Sequence, residues 1–256
     1  MKLDKRLLVN GEEKKLSSEQ LIFELSAGGR ATFVIEGEVN QNALIELHIG
    51  YQGDLKRYFD GFVTKAQPSN NGYTKVIARE RAGILAARWP VSIQHPTLSE
   101  VIEQLSFDTG LNFVLPEQAD YVYTRIPNFT SQGTGYQLLN NLGRVFSVPD
   151  FCWYQQTDGA IYVGGYADSR WKNRPVSIPN ELTKSHAGGN SIKLAVMPSV
   201  RPGAVVNAKR ITKVMFENTD MTLYWQNGEA AEKRKMHFLF PELAAGHHLP
   251  RNKEAR

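Results

Sequence analysis

Carboxylates are the first groups to weigh in this sequence, because two of them held a fixed distance apart can cleave a glycosidic bond. Glu36, Glu38, Asp54 and Asp60 stand in one stretch. Nothing in their spacing commits any two to a common site, and Asp60 beside Gly61 reads as a residue shaping a strand edge. The histidines are His48, His95, His186, His237, His247 and His248. None forms an H-x-x-x-H pair, and adjacent His247 and His248 in an extended tail would point to opposite sides. Cys152 is the single cysteine, so no cysteine pair completes a metal set and no intrachain disulfide can form. Its apolar neighbours mark it as a small core residue. Neither a G-x-S-x-G nucleophile elbow nor a G-x-x-x-x-G-K phosphate loop occurs. The expectation is no catalytic, cofactor-binding or metal residue, no cofactor, no small-molecule substrate and no enzyme. Trp153, Tyr154 and Tyr162 could stack on sugars or bases. With Leu138, Leu142 and Phe146 at hand, packing beneath a helix is the favoured reading.

The totals agree with a folded chain. Of 256 residues, 41% are apolar and 22% charged, which is ordinary for a globular protein of two or three small domains. The net charge of +4 is mild, and the basic residues are scattered apart from Lys233-Arg234-Lys235. Specific nucleic-acid binding usually needs a clustered basic surface, so none is expected. No apolar run reaches the ~20 residues of a membrane span. The start, where only Leu7-Leu8-Val9 is uninterrupted, does not read as a signal peptide. Folding in a cytoplasm, without membrane insertion, is therefore expected.

The elements fall into three regions. Up to about residue 90, apolar residues alternate: Leu21, Phe23 and Leu25, then Ile45, Leu47 and Ile49. Period-2 spacing places each set on one face of a strand. Further strands are read at 31–37, 57–63 and 73–79, with turns at Gly28-Gly29, Gly53-Asp54 and Asn71-Gly72. Gly61 sits mid-strand, where it would permit a bulge or corner. A short helical piece, 82–88, follows. Trp89-Pro90 marks a boundary, beyond which the period changes. Thr97 and Glu100 have the form of a capping box, followed by Leu98, Val101, Ile102 and Leu105 at helical spacing and closed by Gly110. A second unit starts at Thr134 and Gln137. Short strands at 112–115 and 151–155 follow these helices, and Asp158-Gly159 turns the latter into 160–163. From about 167 strands return: Ile192, Leu194 and Val196 alternate, the loop Val200-Arg201-Pro202-Gly203 turns, and 204–206, 210–216 and 221–225 read as strands. Asn227-Gly228 closes that series and 235–240 could add one more. The expected fold is thus β-rich α+β. Two small antiparallel β-barrel-like domains, 1–90 and 167–241, flank a small α/β domain, 91–166, with a polar tail at 242–256.

Four stretches carry a resemblance. They are Phe59-Asp60-Gly61-Phe62-Val63 with the 73–79 strand and Ile84-Leu85; residues 97–102 with Thr109-Gly110-Leu111; residues 136–139 leading through Phe151-Cys152-Trp153 to 158–163; and Val200-Arg201-Pro202-Gly203 leading to Arg210-Ile211 and the 221–225 strand. In this order the chain resembles the baseplate hub proteins of contractile-tailed phages: the late control D family, the Mu-like tail hub, and the hub-like N-terminal part of type VI secretion spike proteins. The resemblance implies two barrel-like units around an α/β insert. It also implies a homotrimeric ring joining a sixfold tail tube to a threefold spike. Partners would be further copies of the chain, a tail spike protein and a tail tube protein. The location would be the host cytoplasm during assembly and then the virion tail baseplate or a tail-like particle. The chain is shorter than typical members and little follows the second β region, so features that longer members use to grip the spike would be missing or supplied by another chain. Alternatives are a peptidoglycan- or glycan-binding module built on the central α/β domain, an oligonucleotide-binding barrel, and a baseplate-associated hydrolase.

Overall fold

The computed structural model describes residues 2–172, 174–179, 183–185 and 189–226. The turn at Asn227-Gly228, the strand expected at 235–240 and the tail 242–256 lie outside the described residues.

Seven strands form the first region: β1 (Leu3–Val9), β2 (Glu12–Lys14), β3 (Leu16–Glu24), β4 (Arg30–Glu36), β5 (Leu44–Tyr51), β6 (Asp54–Pro68) and β7 (Tyr73–Glu80). Alternation was a sound guide to their faces. Leu21, Phe33, Ile35, Ile45, Leu47, Ile49 and Val76 are all fully buried, each such side chain contributing roughly 1.5–3 kcal/mol. The antiparallel order is β3-β4-β7-β6-β5-β1-β2. Only Lys15 separates β2 from β3. One chain segment therefore begins and ends this arc, which curls the strands around a common core. Sequence reading missed β1 and β2, although Asn10-Gly11 between them is a hairpin signal; both residues have positive φ, 49° and 83°.

The middle region contains β8 (Val91–Gln94), α1 (Leu98–Thr109), β9 (Phe113–Val114), α2 (Asp120–Tyr123), β10 (Asn128–Ser131), α3 (Gly135–Val145), β11 (Phe151–Gln155) and β12 (Ile161–Gly165). Both capping boxes are present. The Thr97 hydroxyl accepts from the Glu100 amide while the Glu100 carboxylate accepts from the Thr97 amide, and Thr134 and Gln137 repeat the exchange. The helix faces Leu98–Leu105 and Leu138–Leu142 close over Trp153, Ile161 and Val163 as a second core.

The last region contains β13 (Pro175–Val176), β14 (Thr183–Ser185), β15 (Ser191–Ala195), β16 (Val205–Val206), β17 (Lys209–Glu217) and β18 (Asp220–Trp225). Two separate barrels were the expectation. The strands instead run as one 13-stranded sheet, because β17 pairs antiparallel with β3 from Lys213 opposite Glu24 to Glu217 opposite Gln20. No described pairing closes that sheet. An unpaired β3 edge would expose a row of backbone donors and acceptors, and β17 satisfies them. Alternation reveals a strand and its faces, but not which edge it meets.

Gly61 does not itself form a bulge. The register slips on either side of it, at Tyr58 against β5 and at Thr64 against β7. At Gly61 the β6 backbone presses on β7: a Cβ would lie 1.9 Å from the Arg79 carbonyl oxygen. Gly61→Ala is therefore expected to lose at least ~3 kcal/mol, the upper range of overpacking, since the obstacle is backbone. Urea unfolding of the variant checks this, and an unchanged midpoint would show the strands can part freely.

Candidate functional site: a buried charged junction

The slip at Tyr58 has a structural consequence. It turns two consecutive aromatic residues inward, each only 1% exposed. Phe59 packs edge-on against Phe33 at 5.7 Å, inside the first region. Tyr58 instead meets Phe23 at 5.4 Å and Phe216 of β17 at 5.9 Å, and its hydroxyl donates to the Val200 carbonyl at 3.1 Å. One strand thereby reaches both β regions.

Arg201, from the turn-bearing loop, enters the same junction with 4% exposure. Its guanidinium lies 3.7 Å from the Phe23 ring centre. It donates to the Tyr58 carbonyl at 2.6 Å, to the Gln155 carbonyl at 3.3 Å and to the Glu80 carboxylate. The other Glu80 oxygen accepts the Gly29 amide at 2.6 Å. Burial pushes the Glu80 carboxyl above its ordinary value, opposed by Arg201 and by the Gly29 amide. Gln155 extends the network: it accepts the Ala82 amide at 2.9 Å and donates to the Asp60 carbonyl at 2.8 Å. Asp60 takes the Arg81 guanidinium at 2.8 Å, and Arg57 donates to the Thr157 carbonyl at 2.7 Å. First region, central hairpin and last region are thus tied through the buried Arg201–Glu80 pair and Asp60, while Arg57 and Arg81 reach the surface. Such a network fixes one arrangement of its members.

The residues singled out from sequence fall differently. Asp60 is 2% exposed and lies in an interior strand, not at a sheet edge. Glu36 is ion-paired with Lys15 and Asp54 with Lys56, while Glu38 is exposed. Among the described residues no hydrogen bond joins any two of these four carboxylates. His48 meets Glu46 at 2.9 Å, and His95 gives its carbonyl to Arg125. His186, His237, His247 and His248 lie outside the described residues, as does Lys233-Arg234-Lys235. Among the described residues no group of three metal-ligating side chains converges. None of the described helices is long and apolar enough to cross a membrane.

Trp153 is fully buried, stacked on Tyr136 at 5.6 Å, and its indole donates to Asn140 at 2.8 Å. Tyr154 and Tyr162 are also buried, but not beneath α3 as expected. They point to the opposite face of the β11–β12 hairpin, into the core shared by the β regions, with Trp171 beside Tyr154. Strand alternation alone should have separated Trp153 from Tyr154. No stacking platform for a glycan remains on this hairpin. Cys152 is buried and burial pushes its thiol up to about 12, so it stays protonated and inert. Glu80 and Arg201 were not singled out as a pair; the only signal was that Arg201 heads a Pro-Gly turn in an otherwise apolar stretch.

No protein-family model matches the chain. A curated relative, an uncharacterized 58.7 kDa protein of Haemophilus phage HP1, is 34% identical over 262 residues. That alignment covers 98% of the chain but 48% of the relative, so the chain spans about half the length of the phage protein. Among solved structures, the 43 kDa tail protein of prophage MuSo2 from Shewanella oneidensis superposes with a TM-score of 0.67 at 10% identity, over 90% of this chain and 99% of that one. The tail protein of Neisseria meningitidis MC58 gives 0.63 at 12%, over 88% and 96%. The Escherichia coli c3393 protein, a type VI secretion component similar in structure to the T4 tail proteins gp27 and gp5, gives 0.58 at 12%, over 87% and 77%. The fold is that of phage tail proteins and their secretion-spike relatives, and the resemblance to the tail hub family read from the sequence is borne out.

Proposed function

We propose that the chain is a structural hub component of a phage tail or tail-like injection device, with no catalytic role. The observation that carries this reading is the correspondence of fold along the chain, 90% of it against 99% of a prophage tail protein. In this reading three copies close into a ring. Each copy contributes its two β regions, held in fixed relation by the Arg201–Glu80 junction, so that three chains present six strand-rich units. A sixfold tube can then seat on one side and a threefold spike on the other, since one repeated contact generates a closed cyclic assembly. The divisions near residues 90 and 166 belong to the same proposal. So do assembly in the host cytoplasm and final residence in the tail baseplate.

The test is reconstitution. Mixed with the tube and spike proteins of the same tail, the chain is expected to seed tubes that carry one hub layer at one end in electron micrographs. Tubes that form equally fast without it, or a chain that cofractionates with neither partner, would remove the reading.

A further inference from the structure

The outer face of the β4–β7–β6 sheet is apolar at its centre and basic at its rim. Pairing register places Thr32, Ile77 and Lys65 on one rung, Val34, Lys75 and Gln67 on the next. The third rung is Arg30, Arg79 and Phe62, continued by Leu44 of β5. Ile77 and Leu44 are 40% and 53% exposed on a sheet whose other face is a core. Neither Lys65 nor Lys75 has an ion-pair partner among the described residues.

A complementary surface stands on the central region. Phe107 projects from the polar side of α1 and is 86% exposed, the most exposed large apolar side chain among the described residues. Glu103 lies one turn before it and Asp108 beside it. Among the described residues Glu103 accepts only from Ser99, and Asp108 only from Gln104. Glu100, on the same helix, is already satisfied by Arg125 at 3.1 Å. The free charge of this helix is therefore negative and flanks an aromatic knob.

Threefold closure needs two different patches on each chain, because a head-to-tail contact joins unlike surfaces. We propose that the Phe107 face of α1 on one copy docks on the Ile77 face of the β4–β7–β6 sheet of the next copy. Phe107 then enters the apolar centre, and Glu103 and Asp108 meet Lys65 and Lys75. This rests on the ring reading above and names the surfaces that would form it. Opposite charges at the rim select the partner and its register, while the aromatic anchor supplies most of the affinity.

Light scattering across a concentration series tests the pairing, using the whole chain. Phe107→Ser and the double variant Lys65→Glu, Lys75→Glu are each expected to raise the concentration at which the trimer forms, by roughly thirtyfold for the lost aromatic anchor. All these side chains are exposed, so unchanged thermal unfolding of the dissociated chain shows that folding is intact. Adding Glu103→Lys and Asp108→Lys to the lysine variant is expected to restore assembly. If the unaltered chain forms trimers and the variants do so equally well, the interface lies elsewhere and only this inference fails. If the unaltered chain stays a monomer throughout, the ring and the pairing fall together. Salt-sensitive nucleic-acid binding that the lysine reversals abolish, with mass unchanged, would assign the basic face to a polyanion and overturn the pairing.

Discussion

Arg201→Ala is expected to cost about 3–5 kcal/mol of folding stability, the usual penalty for leaving one member of a buried ion pair without its partner. The arginine contributes on three sides: it neutralises Glu80, caps two backbone carbonyls and covers the Phe23 ring. Its loss leaves a carboxyl that burial already holds above the ordinary value of 4.5, now without the charge that opposed the shift. A carboxyl whose folded value is raised favours the fold below its unfolded value, and that contribution disappears as pH rises through the folded value. The deficit of Arg201→Ala should therefore be largest near neutral pH and shrink as pH falls toward 4.5. Replacing both partners, Arg201→Met with Glu80→Met, should recover part of the loss, because a packed apolar pair avoids desolvation altogether. Urea midpoints at two pH values measure all of this. A pH-independent deficit, or a double variant as unstable as the sum of the singles, would show that the pair is not coupled.

Trp153→Ala is the second large loss, about 3–5 kcal/mol, because a fully buried indole leaves a cavity beneath α3 and forfeits the stack on Tyr136. Trp153→Phe keeps an aromatic ring and abandons only the Asn140 hydrogen bond, so about 0.5–1.5 kcal/mol is expected, plus a residue of imperfect packing. Thermal unfolding ranks the two. The same pair separates structure from recognition. Were the indole a glycan contact, Trp153→Ala would lose peptidoglycan binding while melting normally, and that result would contradict its placement in the core.

Much of this was legible in the chain, for identifiable reasons. Period-2 alternation located β3, β5 and β15, and capping chemistry gave both helix starts to the residue, since Thr97 and Thr134 each offer a side chain that satisfies orphan amides. What alternation does not encode is partnership. The β17–β3 pairing joins residues far apart in sequence, and nothing local to Lys213 or Glu24 announces the other. The junction was hidden for a related reason. Glu80 reads as a polar residue ending a strand and Arg201 as a loop charge; burial of either is visible only when the whole chain has closed around them. Tyr58 was obscured by its own bulge, which breaks the alternation that would have placed it outside. The resemblance to tail hubs rested on order across the chain, and so survived these local misreadings.

In the proposed role the Arg201–Glu80 junction holds the two β regions in one orientation and copies of the chain bind one another through their outer faces. Native mass spectrometry of the purified chain at rising concentration tests that most directly. The account predicts a species of three times the chain mass that gains at the expense of the single chain and saturates there. A single-chain mass at every concentration, unchanged when tube and spike proteins are added, would contradict it.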